Sequence, residues 1–352
     1  MASLQVFQGF NQKSLSLHGL IQYQTAFNFL DNANQNFNGR TYEDVVFIRT
    51  YDGFYSDFYL GGENIKFNST YTAATSGVVT GMIQKTWAGQ VSSYSWLAQD
   101  FSVSAKNFND AIQTIRTDDD LALMREVLAG SDTIYLGPSF NHIEAYDGDD
   151  RFYMSNGNAT DDLFGGDGID TAIYDRPSST FVINPFSEHI SVYSKDGSTG
   201  IDSLYGIERL QFPDTSIAFD TSGISGKAFR IYKAAFDRDS MDGDKAGLGY
   251  WIAQMDDGMD MVEVAARFID SDEFRSLYGT NPTNGEFLTK VYNNVLDRDP
   301  DAGGYDWWID QLDNNPEKTW EKVLADFSES PENQANVAEL IANGIVYDPW
   351  VG

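Results

Sequence analysis

The chain has 352 residues, carries a formal net charge of −30 at pH 7 and contains no cysteine. This length allows two or three domains with a sizeable buried core, and the negative charge argues against nucleic acid or an anionic membrane as a partner. Disulfides are excluded, no apolar run of about eighteen residues predicts a transmembrane helix, and the first residues lack the pattern of a cleaved signal peptide.

Residues 1–128 are rich in aromatic, Asn, Ser and Thr residues and predict a β-rich domain closed by two helices. Asp52-Gly53 is a strong signal for a two-residue hairpin turn. The predicted strands are 45–51, 54–60, 65–71, 77–87 and 94–103. The predicted helices are 105–115, capped by Ser104, and a helix from Asp118 or Asp119 through Leu128, with Gly130 just past its end.

The aromatic residues of this region permit an alternative role as a carbohydrate-binding surface. Such residues more often fill a sheet core or cover its solvent face. The set comprises Tyr51, Phe54, Tyr55, Phe58, Tyr59, Trp87, Tyr94 and Trp96.

Residues 130–175 contain a ladder of acidic or amide residues, each followed two places later by an apolar residue. Its rungs are Asp132/Ile134, Asn141/Ile143, Asp150/Phe152, Asp161/Leu163 and Asp170/Ala172, at steps of nine, nine, eleven and nine residues. The best rung is Gly165-Gly166-Asp167-Gly168-Ile169-Asp170. It fits the Gly-Gly-x-Gly-x-Asp-x-apolar-x nonapeptide of calcium-binding repeats.

This segment resembles the RTX β-roll family. Calcium takes about six to eight oxygen ligands, commonly carboxylates and backbone carbonyls, and glycine allows the positive φ that points carbonyls at an ion. An ordinary Asp/Gly-rich loop held by Asx-turns is the alternative, but five rungs in phase favour calcium. The candidate ligands of Ca²⁺ are Asp132, Asn141, Gly148, Asp149, Asp150, Asp161, Gly165, Gly166, Asp167, Gly168 and Asp170.

Two nonapeptides form one coil turn of eighteen residues, so residues at that spacing stack on one edge of the roll. Ions are therefore expected between Asp132 and Asp150 and between Asp150 and Asp170, with a two-residue insertion in 155–160 explaining the longer second step. The opposite edge is expected to bind more weakly because Asn141 lacks a charge and Ser139 replaces a glycine. Clustered carboxylates repel one another, so we expect ion binding and folding to be coupled.

Residues 176–220 are predicted to form a cap that covers the open sheet end of the roll. Strands are predicted at 180–183 and 190–193, with a turn at Asp196-Gly197. Leu204, Ile207, Leu210 and Phe212 are expected to pack over the last coil, and the segment 207–212 resembles one that follows RTX repeats in bacterial exported proteins.

Residues 223–352 show a helical period and an internal duplication. The segment IYKAAFDRD (231–239) matches VYNNVLDRD (291–299), and AGLGYWIAQM (246–255) matches GGYDWWIDQL (303–312). The corresponding pairs are Trp251/Trp308, Phe268/Phe327, Ser271/Ser330 and Glu273/Glu332. This region resembles an uncharacterised all-helical domain at the C-termini of bacterial RTX and surface proteins.

Acidic residues between these helices have two interpretations. Asp237, Asp239, Asp242 and Asp244 form a loop that weakly resembles an EF-hand, but the spacing favours helix capping over a metal site. Trp251, Trp307 and Trp308 are expected in the core rather than at a ligand surface.

No catalytic motif is present. The three histidines, His18, His142 and His189, are scattered, His142 is expected to be exposed, and HExxH, GxSxG and Walker A motifs are absent. A glycosidase-like carboxylate pair has no local signature, so a cryptic hydrolase remains an alternative. Because none of these catalytic motifs is found, we expect no enzyme activity.

Together these patterns predict a multidomain α+β protein with three parts: a β-rich domain (1–128), a calcium β-roll and cap (129–222) and a duplicated helical domain (223–352). The expected function is an exported calcium-binding structural or adhesive protein of the bacterial surface or extracellular matrix. Its expected partners are further copies of itself, as an oligomer or polymer, or surface polysaccharide. The RTX resemblance implies type I export with an uncleaved C-terminal signal, and a secreted carbohydrate-binding protein is the other alternative.

Overall fold

A computed structural model describes residues 1–237 and 239–350 as a mixed α+β protein, which confirms the expected fold class. The chain divides into two compact units, residues 1–208 and 209–352. Arg238, which belongs to the first repeat motif, lies outside the described residues. Within the described residues, no helix is both long and apolar enough to cross a membrane.

The first unit contains sixteen strands and three α-helices among its described elements. The strands are β1 (Ser3–Val6), β2 (Gln24–Leu30), β3 (Gln35–Phe37), β4 (Arg40–Tyr42), β5 (Asp44–Tyr51), β6 (Tyr55–Phe67), β7 (Ala74–Ala88), β8 (Val91–Ser104), β9 (Thr133–Tyr135), β10 (His142–Asp147), β11 (Arg151–Tyr153), β12 (Asp162–Asp167), β13 (Thr171–Ile173), β14 (Phe181–Pro185), β15 (Ile190–Ser194) and β16 (Asp202–Tyr205). The helices are α1 (Gly19–Gln22), α2 (Ala105–Ile112) and α3 (Thr117–Val127).

An antiparallel sheet in the order β2-β5-β6-β7-β8-β1 forms most of the N-terminal region. The hairpin around Asp52-Gly53 is confirmed, since β5 pairs antiparallel with β6 on either side of it. The two-residue turn is wrong: Tyr51 pairs with Tyr55, so the loop has three residues, 52–54. The separate strand predicted at 65–71 is wrong: β6 runs through to Phe67, and a turn closed by the Asn68 N–H and the Ala73 carbonyl follows. Register shifts around Glu63 and Lys66 interrupt the regular alternation of side chains between the two faces of the sheet, on which the strand prediction depended.

The predicted helices are present, and one of the two predicted caps is correct. Ser104 accepts a hydrogen bond from the Asn107 N–H at the start of α2. At α3 neither Asp118 nor Asp119 is the N-cap; Arg116 occupies that position without a side-chain cap bond. The acidic residues instead lie in the first turn, where the helix dipole favours negative charge.

The roll is built from two columns of short parallel strands. β9, β11 and β13 pair in parallel so that Ile134, Phe152 and Ala172 lie opposite one another, and all three are fully buried. The second column contains β10, β12 and β16. Thr133 pairs with Arg151 but His142 pairs with Asp162, so the two extra residues lie between Tyr153 and Asp162, in agreement with the predicted insertion.

The first coil of the roll comes from the N-terminus, which the sequence prediction did not include. β1 pairs antiparallel with β8 and parallel with β9, and the buried Leu4 lies opposite Ile134. The expected boundary between residues 128 and 129 therefore does not separate two packing units. The Asp-x-apolar pattern does not mark this coil, because Ala2 occupies the position that Asp132 has in the next coil.

The region predicted as a cap is divided between the two units. β14 and β15 form an antiparallel hairpin that joins the second column through β15 and β16. Leu204 does not lie over the last coil, as expected, but belongs to it, because Asp202-Ser203-Leu204 repeats the rung pattern and pairs with β12. Leu210 and Phe212 belong to the second unit.

The second unit consists of helices and a small antiparallel sheet of β17 (Arg209–Gln211), β18 (Ser216–Ala218) and β19 (Ile345–Tyr347). Its helices are α4 (Ile224–Phe236), α5 (Ser240–Gly243), α6 (Lys245–Asp256), α7 (Met261–Ile269), α8 (Asp272–Tyr278), α9 (Asn284–Leu296), α10 (Ala302–Asn314), α11 (Trp320–Ser328) and α12 (Pro331–Ile341).

The duplication seen in the sequence is also a structural repeat. α4 and α9 end at Asp237 and Asp297, which both adopt a left-handed conformation with φ values of 50° and 51°. The Trp251 and Phe268 ring centroids lie 4.8 Å apart, and those of Trp308 and Phe327 lie 5.2 Å apart. Trp307 was expected in the core but is 51% exposed, since only its neighbour Trp308 packs against the core.

The acidic residues between the helices act as caps. Asp239 accepts from the Met241 N–H and Asp244 from the Gly247 N–H, and in the second copy Asp301 accepts from the Gly304 N–H. Ser271 and Ser330 cap α8 and α12 in the same way. The capping interpretation is therefore confirmed for Asp239, Asp244 and Asp301, whereas Asp242 lies in the first turn of α5.

Candidate metal centre

Four turns stack along one edge of the roll, and we call them the aspartate edge: residues 130–132, 148–150, 165–170 and 206–208. Gly130, Gly148, Gly168 and Gly206 have positive φ values of 85°, 118°, 137° and 56°. A residue with a Cβ rarely adopts these conformations. The glycines therefore allow each turn to close tightly above the next.

The acidic side chains of this edge form a ladder of hydrogen bonds between coils. The Asp132 N–H donates to Oδ1 of Asp150 at 2.6 Å, and the Asp150 N–H donates to Oδ1 of Asp170 at 2.8 Å. At the end of the ladder the Asp170 N–H donates to Oε2 of Glu208 at 2.9 Å. At its start Oδ1 of Asp132 accepts from the Ala2 N–H. One oxygen of each carboxylate thus holds the adjacent coil in register.

The second oxygen of each aspartate is buried without a hydrogen-bond partner. This applies to Oδ2 of Asp132, Asp150 and Asp170, whose residues are at most 2% exposed. An ionised carboxylate in such a place is unfavourable unless a donor or cation compensates it. The geometry therefore leaves three oxygens, in three successive coils, that lack a partner.

Burial has the expected effect on the acidity of these groups. It raises the pKa of Asp132 to about 6 and that of Asp170 to about 7. The pKa of Asp150 is raised to about 8, by burial first and then by the negative charges of Asp170, Asp132 and Asp149. Neutral acids are favoured here in the absence of a cation.

Carbonyl oxygens lie near two carboxylates of this edge, that of Asp170 and that of the exposed Asp149. A Cβ added at Gly165 would collide with Oδ2 of Asp170 and with the Gly206 carbonyl oxygen. A Cβ added at Gly168 would collide with the Gly148 carbonyl oxygen and would lie 3.1 Å from Oδ1 of Asp149. Carboxylate and carbonyl oxygens are the ligands that calcium prefers. Both kinds of oxygen are therefore present beside Asp170, and in this respect the residues fit that ion.

Carboxylates alone do not complete a coordination shell. Across residues 1–237 and 239–350, no group of three or more Asp, Glu or His side chains is arranged to hold a metal ion. A cation at the aspartate edge would therefore depend on the glycine carbonyls, which calcium accepts readily.

The opposite edge is organised differently. Oδ1 of Asp161 accepts from the backbone N–H of Asn141 at 2.8 Å and from its side-chain amide at 3.0 Å. The same amide donates to the Gly137 and Ser139 carbonyls at 3.0 and 2.8 Å. The Asn141 amide and backbone N–H thus donate to one oxygen of Asp161 without a cation. Weaker ion binding at this edge stays a prediction.

Several predicted ligands lie outside this arrangement. Asp149 is exposed, and its Oδ1 accepts from the Ile169 N–H at 2.8 Å. Asp167 is also exposed, at the end of β12, and Gly166 (φ 119°) closes the turn against the Tyr146 carbonyl. The structure thus brings together Asp132, Asp150 and Asp170, with Gly148, Gly165 and Gly168 beside them.

Glu208, Gly206 and Asp202 were not among the predicted ligands. The hairpin of β14 and β15 displaces Gly206 and Glu208 along the chain, so a fixed period cannot find them. Asp202 extends the opposite edge, accepts a 3.3 Å hydrogen bond from the Tyr174 hydroxyl, and has its pKa raised to about 8 by burial. The Asp-x-apolar pattern of residues 202–204 could have shown that Asp202 belongs to the roll.

His142 is buried rather than exposed, contrary to the prediction. Its side chain packs beside Phe164, with the ring centroids 5.1 Å apart, and its Nδ1 lies 3.7 Å from Oδ2 of Asp162. The prediction placed it in a turn, whereas it is the first residue of β10, where the adjacent coil covers it.

Part of the second unit is similar to a known protein family. Residues 265–337 match the family described as "Domain of unknown function (DUF4214)". The match begins in α7 of the first copy and ends in α12 of the second. No curated protein matches the chain.

One solved structure, the extracellular lipase LipA from Serratia marcescens, is similar at 18% identity with a TM-score of 0.24. The likeness covers 27% of this chain and 16% of the lipase. At this TM-score it supports no conclusion on fold or activity.

Proposed function

We propose that this chain is an exported calcium-binding structural or adhesive protein that self-associates once calcium is bound. One observation carries the proposal: Oδ2 of Asp132, Asp150 and Asp170 is buried without a partner in three successive coils of the roll. A divalent cation is the simplest group that compensates such buried carboxylate oxygens, and the Gly206 carbonyl lies near one of them, Oδ2 of Asp170.

In this proposal the two oxygens of each aspartate have different roles. Oδ1 of Asp150 and Asp170 accepts a backbone N–H and fixes the register of the coils, while Oδ2 faces the cation. Calcium, when bound, supplies positive charge that favours the ionised carboxylates. The glycine carbonyls of the aspartate edge would supply further oxygen ligands.

The same charges make the roll responsive to its surroundings. When calcium is scarce, as inside a cell, ionising the buried carboxylates destabilises the coil stack. Calcium at the millimolar levels that extracellular modules use removes this penalty. The roll then becomes stable after export rather than before it.

Self-association needs a reduction of repulsion as well as a contact surface. A net charge of −30 keeps copies apart at low ionic strength. The tip of the β5–β6 hairpin offers an apolar surface, since Tyr51, Phe54 and Tyr55 are all exposed. Bound calcium lowers the net charge and allows such surfaces to meet.

The test is to prepare the full chain free of metal and to add calcium or, as control, magnesium at equal ionic strength. We expect millimolar calcium to raise the melting temperature followed by circular dichroism, and light scattering to show a larger species. Stabilisation without any change in size at high protein concentration would leave a calcium-binding protein but overturn the self-association. Equal effects of magnesium would remove the assignment to calcium.

A second candidate, carbohydrate binding, is favoured by a cavity of about 620 Å³ in the first unit. Among its lining residues, Phe58 and Trp96 offer aromatic surface and Gln8, Asn11 and Gln84 offer amide groups. The Trp96 indole N–H donates to Oε1 of Gln84 at 2.5 Å. Convergent polar groups beside aromatic rings are typical of small-molecule sites.

This candidate is tested by titrating neutral oligosaccharides while following tryptophan fluorescence. A saturable change that is lost in Gln84→Ala but kept in the exposed-site variant Gln35→Ala is the expected result. A flat titration across neutral hexose and N-acetylhexosamine oligomers would exclude it.

A further inference from the structure

The first unit contains a second cavity, of about 350 Å³, that is distinct from the roll. Its floor is one face of the antiparallel sheet, where Val46, Ile48, Leu60 and Val79 contribute side chains. Its roof is the inner face of α2. The lining residues on α2 are Ala105, Phe108, Asn109 and Ile112, at the spacing of one helix face.

The size of the cavity bounds its occupant. An apolar cavity of about 150 Å³ in another protein stays free of water and binds benzene. The cavity under α2 has more than twice that volume, so it accommodates a two-ring aromatic or a medium-length alkyl chain. A peptide or a folded partner is too large.

The lining defines the chemistry of the occupant. None of the residues around the cavity carries a charge, although the chain as a whole has 53 acidic and 23 basic residues. The polar groups are few, and Oδ1 of Asn109 already accepts the Ala74 N–H at 3.1 Å. The Thr72 hydroxyl is hydrogen-bonded to the side chains of Asn68 and Thr70. Gln24 and Gln113 are the uncharged partners for a hydroxyl or carbonyl. A charged group would have no counter-charge here.

The entrance of the cavity is aromatic and accessible. Phe27 and Tyr71, which line it, are 36% and 62% exposed. The Phe67 ring contacts both, with centroid distances of 5.7 Å to Phe27 and 6.3 Å to Tyr71. Exposed rings grouped at the mouth of an apolar cavity favour entry of an apolar molecule from water.

We propose that the cavity between α2 and the sheet binds an uncharged, largely apolar small molecule with one polar end. The ring system or alkyl chain lies between Val46, Val79 and Phe108. Its hydroxyl or carbonyl group lies near the amides of Gln24 and Gln113. This activity is independent of calcium and of the roll.

The test uses N-phenyl-1-naphthylamine, an uncharged two-ring fluorescent probe, with the full-length protein. We expect a saturable fluorescence increase at one probe per chain, and competition by 1-decanol but not by decyltrimethylammonium or decanoate. Ala105→Leu places a larger side chain on the cavity face of α2 and should weaken probe binding at least about tenfold. Asn107→Leu adds the same side chain to the exposed face of α2 and should leave binding unchanged.

Circular dichroism establishes that each variant is folded, and Val79→Thr serves as a second variant that keeps the shape while adding a hydroxyl to the lining. Val79→Thr should also weaken binding of the probe about tenfold. No saturable binding to the unaltered protein would overturn the proposal. Binding by the folded Ala105→Leu and Val79→Thr variants that is as tight as binding by the unaltered protein would also overturn it, since the probe would then occupy another surface.

Discussion

The backbone N–H of Asp150 donates a 2.8 Å hydrogen bond to Oδ1 of Asp170, the aspartate twenty residues later, while Oδ2 of both residues is buried without a partner. The hydrogen bond joins two coils of the roll without needing a cation. The remaining oxygens destabilise the same two coils when they are ionised. Stability and ion binding are therefore joined at a single pair of side chains.

Replacing Asp150 by asparagine separates these two contributions. The asparagine side chain would keep an oxygen that accepts the Asp132 N–H but would have no negative charge. We expect Asp150→Asn to melt at the same or a higher temperature than the unaltered protein without metal, and to lose most of the stabilisation by calcium. Thermal unfolding with and without calcium measures both effects.

The matched control is Glu188→Gln, which removes one charge from an exposed position of the first unit. It should retain the full response to calcium. An undiminished calcium response in Asp150→Asn would show that the ion binds elsewhere.

The pH dependence of the metal-free protein follows from the raised pKa values. Burial raises the pKa of Asp132, Asp170 and Asp150 to about 6, 7 and 8, above their value of about 4 in an unfolded chain. The stability that protonation gives is complete below about pH 4 and is lost as pH rises through these folded-state values. We expect the free energy of unfolding to fall from pH 5 to pH 8.

Calcium should reverse this trend, because the ionised carboxylates bind it and the protonated ones do not. Calcium affinity should therefore rise over the same pH interval. Urea unfolding at several pH values, with and without calcium, provides the measurement. A metal-free protein that gains stability from pH 5 to pH 8 would contradict the assigned burial.

Gly168 tests the tight turns of the aspartate edge. Gly168→Ala combines an unfavourable φ of 137° with a collision between the new Cβ and the Gly148 carbonyl oxygen. Gly197→Ala, in a turn with φ 70° and no neighbour within 4 Å, is the control and should cost about 1 kcal/mol. We expect Gly168→Ala to cost about 3 kcal/mol and to weaken calcium binding. Equal losses in the two variants would mean that the turn is not tightly packed.

Leu4 tests whether the N-terminal strand belongs to the roll. It is fully buried opposite Ile134, so Leu4→Ala should destabilise the first unit by about 2–5 kcal/mol. The truncation of an exposed side chain, Val91→Ala, should change stability by less than about 0.5 kcal/mol. Hydrogen exchange should show loss of protection at β9 in Leu4→Ala, and protection unchanged there would place β1 outside the roll.

The two copies of the helical repeat should respond alike to loss of corresponding caps. Ser271 accepts from the Phe274 N–H at 3.0 Å, and Ser330 accepts from the Asn333 N–H at 3.2 Å. Each alanine variant should lose about 1 kcal/mol of stability. Ser276→Ala, inside α8 and exposed, should be close to neutral. A loss in one copy alone would show that the repeat is not energetically equivalent.

Local sequence patterns predicted the roll well but not its ends. The spacing of Asp132, Asp150 and Asp170 gave both the stacking and the position of the insertion, because a coil repeats its backbone geometry at fixed intervals. β1 and Glu208 were missed for the opposite reason. Ala2 carries no acidic marker, and the β14–β15 hairpin interrupts the period before Glu208.

Side-chain burial was also beyond the reach of local patterns. Asp149, Asp150 and Asp167 are alike as sequence signals, yet only Asp150 is buried. The difference arises from which face of the turn each residue occupies once the coils are stacked. The cavity under α2 depends on packing between distant strands and a helix, and no motif in the sequence marks it.

Calcium titration of the metal-free full-length protein by isothermal calorimetry, at pH 7.5 and with magnesium present, tests the central claim most directly. We expect saturable binding of at least two ions per chain, with the heat and stoichiometry reduced in Asp150→Asn. Absence of binding at millimolar calcium, in a protein that circular dichroism shows to be folded, would contradict it.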